Sequence, residues 1–173
     1  MGEPMRPIAL NLQSQLKALE SILLDNRLIR TVLERASDLC LPNWYVGAGC
    51  VSQSVWNYLA GRDLSADIHD IDLVYYDGAD LTEATESRRC DSARSLFAEL
   101  PIRIDLKNEA RVHIWHESHF GYPIKPYRSV EEAINSWPTT ARWEQPHWNT
   151  TRSTSLKSSP SSPNTGRPRS LPK

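Results

Sequence analysis

The 173-residue chain has only three cysteines, Cys40, Cys50 and Cys90. Three scattered thiols build no disulfide framework, and their odd number agrees with a reducing compartment. No Cys-x-x-Cys pair occurs, so a cysteine zinc site has little support. Long apolar runs are missing as well. Nothing approaches the roughly 20 residues that span a bilayer, and the start MGEPMRPIALNLQSQ lacks a signal-type hydrophobic stretch. A cytoplasmic protein without a membrane partner is the expectation. Nor does one sign of charge dominate, since 20 Lys and Arg against 21 Asp and Glu give a net −1. That removes any global electrostatic reason to expect nucleic acid as a partner, which stays open but not indicated. No internal repeat is visible.

The near-neutral sum joins two unlike regions. Residues 142–173 carry Arg142, Arg152, Lys157, Arg167, Arg169 and Lys173 against the single acid Glu144, a net of +5. Residues 1–141 carry 14 basic and 20 acidic residues, a net of −6. Ser, Thr, Pro, Arg and Lys dominate the end, TTRSTSLKSSPSSPNTGRPRSLPK, which offers almost nothing to bury. Disorder is expected there, with a domain over 1–141 and a basic Ser/Pro-rich tail over 142–173.

Within the domain, Leu12, Leu16, Leu19 and Leu23 make one helical stripe. It resumes in a new phase at Ile29, Val32, Leu33 and Ala36, so two helices fit residues 11–39, with Asp25 as the expected N-cap. WYVGAGC (44–50) reads as a strand entering a glycine turn, and Val51, Val55, Tyr58 and Leu59 as a helix closed by Gly61. IDLVYY (71–76) is the strongest strand signal. Helix is expected over 80–99, strand over 101–108 and helix over 109–119, and Ser129-x-x-Glu132 is a capping-box pattern opening a last helix. The order is α, α, β, α, β, α, β, α, α.

Asp70 and Asp72 open the IDLVYY strand. Side chains two apart on a strand share a face, which puts two carboxylates about 5–7 Å apart. Such a pair is unfavourable unless a cation sits between them, and carboxylate oxygen suits Mg²⁺ or Mn²⁺. Asp105 lies on the next strand; if the two strands are neighbours, it reaches the same ions and completes a two-metal site. Gly47-Ala48-Gly49 opens the helix near Cys50, where free backbone N–H groups form an anion site. Taken alone, the Asp pair is equally a solvated strand end or helix cap, and the glycine turn merely a tight turn. Their order along the chain carries the weight.

That order resembles the nucleotidyltransferase superfamily of DNA polymerase beta, and more narrowly a family of small stand-alone nucleotidyltransferase-like proteins. The likeness runs through WYVGAGCVSQSVWNYLAGR (44–62), HDIDLVYYD (69–77), IDLKNEARVHIW (104–115) and PYRSVEEAINSWPTTA (126–141). It implies an α+β (α/β-like) fold with a mixed sheet flanked by helices, and transfer of a nucleoside monophosphate from an NTP to an acceptor hydroxyl with release of pyrophosphate. It also implies Mg²⁺ or Mn²⁺ held by the catalytic triad Asp70, Asp72 and Asp105. The resemblance does not supply the acceptor. Phosphate binding is assigned to Gly47, Gly49, Cys50, Ser52 and Arg111, Arg111 being equally a salt-bridge residue.

Cys50 stands where the wider superfamily usually has Ser, and 21 positions separate Gly49 from Asp70, more than the compact spacing. The likeness stops beyond Thr140, where further strand and helix would follow, as after natural divergence, a shifted frame or altered splicing. A C-terminally truncated domain is therefore expected. The alternative reading is a catalytically impaired remnant or binding protein, and a weaker one a metal-dependent phosphodiesterase. His113, His116 and His119 step by about 60° on a helix, so at most two share an ion, and packing is the blander account. Trp44, Tyr45, Trp56, Trp115 and Trp137 read mainly as core. Asp63 and Asp67 read as loop caps, Asp77 as the acid of an Asp-Gly turn, and Arg62 and Lys107 as minor phosphate candidates.

Overall fold

The computed structural model describes residues 11–137 and the backbone of Leu156–Lys157. Its elements run α1 (Leu12–Asp25), α2 (Arg27–Arg35), a 3-10 turn (Ala36–Leu39), β1 (Tyr45–Gly47), α3 (Gly49–Leu59), β2 (Asp70–Tyr75), α4 (Glu83–Leu96) and β3 (Arg103–Asn108). A 3-10 turn (Glu109–Arg111), α5 (Val112–Phe120), α6 (Val130–Ser136) and β4 (Leu156–Lys157) follow. The sheet is mixed, in the order β3-β2-β1-β4. β2 and β3 are parallel, joined through α4, and β1 is antiparallel to β2 and to β4. The α+β architecture expected from the sequence is the one found. No helix among the described residues is long and apolar enough to cross a membrane.

The alternation of the strands decides what each sheet face does. Val46, Ile71, Leu73, Tyr75 and Leu106 are buried in the main core with Leu23, Ile29 and Val32 of the first helices and Ala93 and Phe97 near the end of α4. The other face carries Tyr45 and Val74, which pack with Val130 and Ile134 of α6 in a second, smaller cluster. It also carries Asp70, Asp72, Asp105 and Lys107.

Buried amides fix the path into β2. Asn26 is fully buried, and its Oδ1 accepts from the backbone N–H groups of Leu28 and Ile29. It is the N-cap of α2, one residue beyond the Asp25 expected, because the bend between the helices turns Asn26 inward. Its Nδ2 donates to Ser54 Oγ at 2.9 Å and to the Leu64 carbonyl at 3.0 Å. Asn57 Nδ2 donates to the carbonyls of Leu64 and Ala66. Two side chains thus hold the loop that delivers Asp70 and Asp72. In the same loop Arg62 pairs with Asp67 at 2.7 Å and Asp63 accepts from Ser65 N, as loop caps do.

The leucine stripe of α1 is only half used. Leu23 is buried and Leu19 packs on the core, whereas Leu12 and Leu16 are exposed, because the core begins one turn further along. The capping box at α6 forms one of its two arms in the expected way. Ser129 Oγ accepts from Glu132 N at 3.2 Å, but Glu132 Oε2 accepts from Arg128 N rather than from Ser129 N. The Asp-Gly turn behaves as read, with Asp77 Oδ1 accepting from Ala79 N and Asp80 N.

Within the tail, the backbone of Leu156–Lys157 lies beside β1 at Val46 and Tyr45, where it takes ladder groups that an edge strand would leave open. The rest of 138–173, including the proposed boundary at 141 and the expected disorder, lies outside the described residues.

Candidate active site

Strand register brings the predicted acids together. Asp72 is the Cα partner of Asp105 across β2 and β3, and Gly47 is the partner of Asp72 across β1 and β2. Gly47, Asp72 and Asp105 therefore form one row across three strands. Asp70, two residues before Asp72, shares its face and is the partner of Arg103. Sequence spacing left open whether β2 and β3 were neighbours; their parallel pairing answers it.

The cations facing these acids are the chain's own. Arg103 Nη2 lies 2.8 Å from Asp70 Oδ2, and Lys107 Nζ lies 2.8 Å from Asp105 Oδ2. Asp72 stands between them without a hydrogen bond or ion pair among the described residues. Burial pushes its carboxyl above the ordinary carboxylate range; Lys107 draws it back, while Asp70 and Asp105 push it further up. Burial works against the Lys107 ammonium, but the Asp105 bond and the charges of Asp105, Asp72 and Glu109 outweigh it and raise its pKa.

The three carboxylates are a hard-oxygen set on adjacent strands, the ligand chemistry that hard divalent cations prefer. The side chains of Asp70 and Asp105 face Arg103 and Lys107, and among the described residues no three His, Cys, Asp or Glu are grouped to hold an ion. Ion binding at this row requires those two salt bridges to open.

At the end of β1 the chain turns into α3 through Ala48, whose φ of 61° and ψ of −139° place a non-glycine residue in left-handed space. The residue that needs glycine's freedom here is thus the alanine between the two glycines. No side chain caps α3, and Gly49 is exposed with open space around it. Uncapped N–H groups at the start of an 11-residue helix beside Gly47 suit a phosphate.

The side chains expected to help there point elsewhere. Cys50 is buried, and its thiol donates to the Gly47 carbonyl at 3.1 Å. Burial lifts it to about 12, helped by the charges of Asp72 and Asp70, so it stays protonated and shapes the turn from inside. Ser52 Oγ donates back to the Gly49 carbonyl at 3.3 Å. Arg111 is buried under α4; its Nε donates to the Leu81 carbonyl at 2.9 Å and its guanidinium pairs with Glu86. Of its two expected roles the structure displays the salt bridge, with Glu86 as partner, because the 3-10 turn after β3 points Arg111 toward α4.

Beyond the row lies a cleft of about 380 Å³ whose wall includes Ala48, Asp72, Lys107 and Glu109. Its other side is aromatic, formed by residues of α5, of the segment after it and of the end of α6, Trp115, Tyr127 and Trp137 among them. The sequence reads Trp115 and Trp137 as core; Trp137 does pack on the second cluster, and both also line this cleft. His116 belongs to this wall, with Nδ1 2.9 Å from the Tyr122 carbonyl and its ring edge-on to Tyr122. His116 and His119 are therefore part of an aromatic cluster.

Glu109 escaped the sequence reading. It is 3% exposed yet lines the cleft, and burial lifts its carboxyl to about 7. Lys107 opposes that rise, Asp72 adds to it, and a hydrogen bond from Trp137 works against it. The available signal was an acid just past the Asp105 strand, flanked by the buried Ala110 and Val112.

A solved NMR structure described as revealing a CCA-adding enzyme head domain superposes with a TM-score of 0.54 at 23% identity, over 77% of this chain and 64% of that one. That likeness concerns the fold alone. This chain spans under two thirds of the matched structure. No curated protein matches. A family model described as nucleotidyltransferase matches residues 34–143, which take in the glycine turn, the acidic row and the cleft wall. The chain belongs to this nucleotidyltransferase family.

Proposed function

We propose that the protein transfers a nucleoside monophosphate from an NTP to an acceptor hydroxyl, with Mg²⁺ or Mn²⁺ held by Asp70, Asp72 and Asp105. The observation that supports this most is the single row of Gly47, Asp72 and Asp105 across three strands, ending at the uncapped start of α3. When bound, the divalent ions supply Lewis-acid activation and neutralise the triphosphate.

The chain's own groups do the remainder. The N–H groups of Gly49 and Cys50 hold the terminal phosphates at the start of α3. Asp70 and Asp72 exchange Arg103 and the pull of Lys107 for ion ligation, and Lys107 turns to a phosphate oxygen. Asp105 takes the proton of the acceptor hydroxyl. The acceptor oxygen bonds to the α-phosphorus, the bond to the bridging oxygen breaks, and pyrophosphate leaves. The test is pyrophosphate release from each NTP with Mg²⁺ over a panel of hydroxyl acceptors, with Asp70→Asn and Asp72→Asn alongside. Wild-type release that both variants lose is the expected result; equal rates in all three overturn it.

A second reading, nucleotide binding without transfer, is favoured by one observation: Asp70 and Asp105 each already hold a cation of the chain at 2.8 Å. NTP binding with no release on any acceptor is the outcome that selects it.

A further inference from the structure

Resting on nucleotide binding at the acidic row, we infer that the adjoining cleft seats the nucleobase and that Glu109 selects guanine. The cleft, about 380 Å³, falls within the range of small-ligand sites and opens directly from Ala48 and Asp72, the phosphate and ion end. Its aromatic side offers Trp115, Phe120, Tyr122, Tyr127 and Trp137. Aromatic faces stack on any base and so give affinity without choice. Choice requires a polar group that matches one base edge and mismatches the others.

Glu109 is placed to be that group. It leads the turn after β3, is buried to 3% exposure, and lines the cleft. Nearly every other polar side chain buried to that degree is absorbed by the fold: Asn26, Ser54, Asn57 and Asn108 all spend their groups on the backbone or on one another. Among the described residues one side chain, Trp137, donates a hydrogen bond to Glu109. An ionised carboxylate accepts at two oxygens and donates at none. Burial lifts this one to about 7. Guanine presents N1–H and the N2 amino group side by side, two donors spaced for one carboxylate. Adenine and cytosine set a ring acceptor beside their amino group, and uracil flanks its N–H with two carbonyl oxygens. Each of those acceptors faces the carboxylate oxygens unfavourably, so a site built to receive two donors rejects bases that lack them.

The test is calorimetric titration of the full chain with GTP, ITP, ATP, CTP and UTP in the presence of Mg²⁺, at about pH 8, where the carboxyl is ionised. GTP is expected to bind at least about tenfold more tightly than ATP, CTP or UTP. ITP, which lacks only the N2 amino group, should fall several-fold below GTP, a comparison that needs no variant. In Glu109→Gln the side chain offers one acceptor and one donor, so GTP should weaken by at least about tenfold while ATP or CTP strengthens, a reversal that mere loosening of the fold does not produce. Equal binding of GTP, ITP and ATP by the wild type overturns the inference and leaves nucleotidyl transfer standing. If no triphosphate binds, both readings fall.

Discussion

On one side of the β2–β3 pair, Ile71, Leu73, Tyr75, Ile104 and Leu106 stand in or against the main core. On the other side, one residue along on each strand, stand Asp70, Asp72, Arg103, Asp105 and Lys107. The same backbone ladder presents both sets, yet their energetics are opposite. The apolar face gains from burial, whereas the charged face gathers three acids: Asp70 and Asp105 sit on the chain's own cations, and Asp72, raised by burial and by the charges of both, stands between them. The contrast shows that one face of each strand fixes the register so that the other can hold an arrangement unfavourable in itself. Strain at Ala48 and the elevated Glu109 belong to that second face, where unfavourable groups gather at sites of function.

Substitutions on the two faces should separate cleanly. Asp72→Asn is predicted to lower nucleotidyl transfer by at least about 100-fold, with thermal stability unchanged or raised, because a buried carboxyl held above its ordinary range is replaced by a neutral one. Activity and melting temperature measured on the same sample check both halves. Leu73→Ala, on the opposite face and fully buried, should cost about 3 kcal/mol of stability, read by urea denaturation.

A smaller effect concerns pH. Glu109 is lifted from 4.5 to about 7, so between those values the folded chain holds a proton that the unfolded chain has lost. Stability therefore falls as pH rises through that window. Urea midpoints taken across it should slope downward in the wild type and flatten in Glu109→Gln; identical slopes would contradict the assignment. The smallest effect is expected at Ala48→Gly, which relieves the left-handed backbone and should add about 1 kcal/mol to stability, seen as a modest rise in melting temperature.

The elements were largely legible because period-2 and helical patterns report burial directly. IDLVYY is a β-branched and aromatic run, and β2 lies within one residue of where it was expected. The acidic row was legible in part. Asp70 and Asp72 share a face by spacing alone, but the alignment of Asp105 with Asp72 depends on which strands pair, and no local pattern encodes that. What escaped was set by tertiary direction. Arg111 and Glu109 lie two residues apart, and a 3-10 turn sends one to Glu86 and the other into the cleft. Asn26 rather than Asp25 caps α2 because it faces Ser54 and Leu64, residues remote in sequence. Trp115 of α5 looked like core because an aromatic residue in a helical pattern does not tell a packed interior from the wall of a cleft.

Most directly decisive is a crystal of the full chain soaked with Mn²⁺ and an NTP, examined by anomalous scattering. The account predicts manganese bound among Asp70, Asp72 and Asp105, with Arg103 and Lys107 turned away and phosphate at the start of α3. Lys107 still on Asp105, with no manganese at the row, would contradict it.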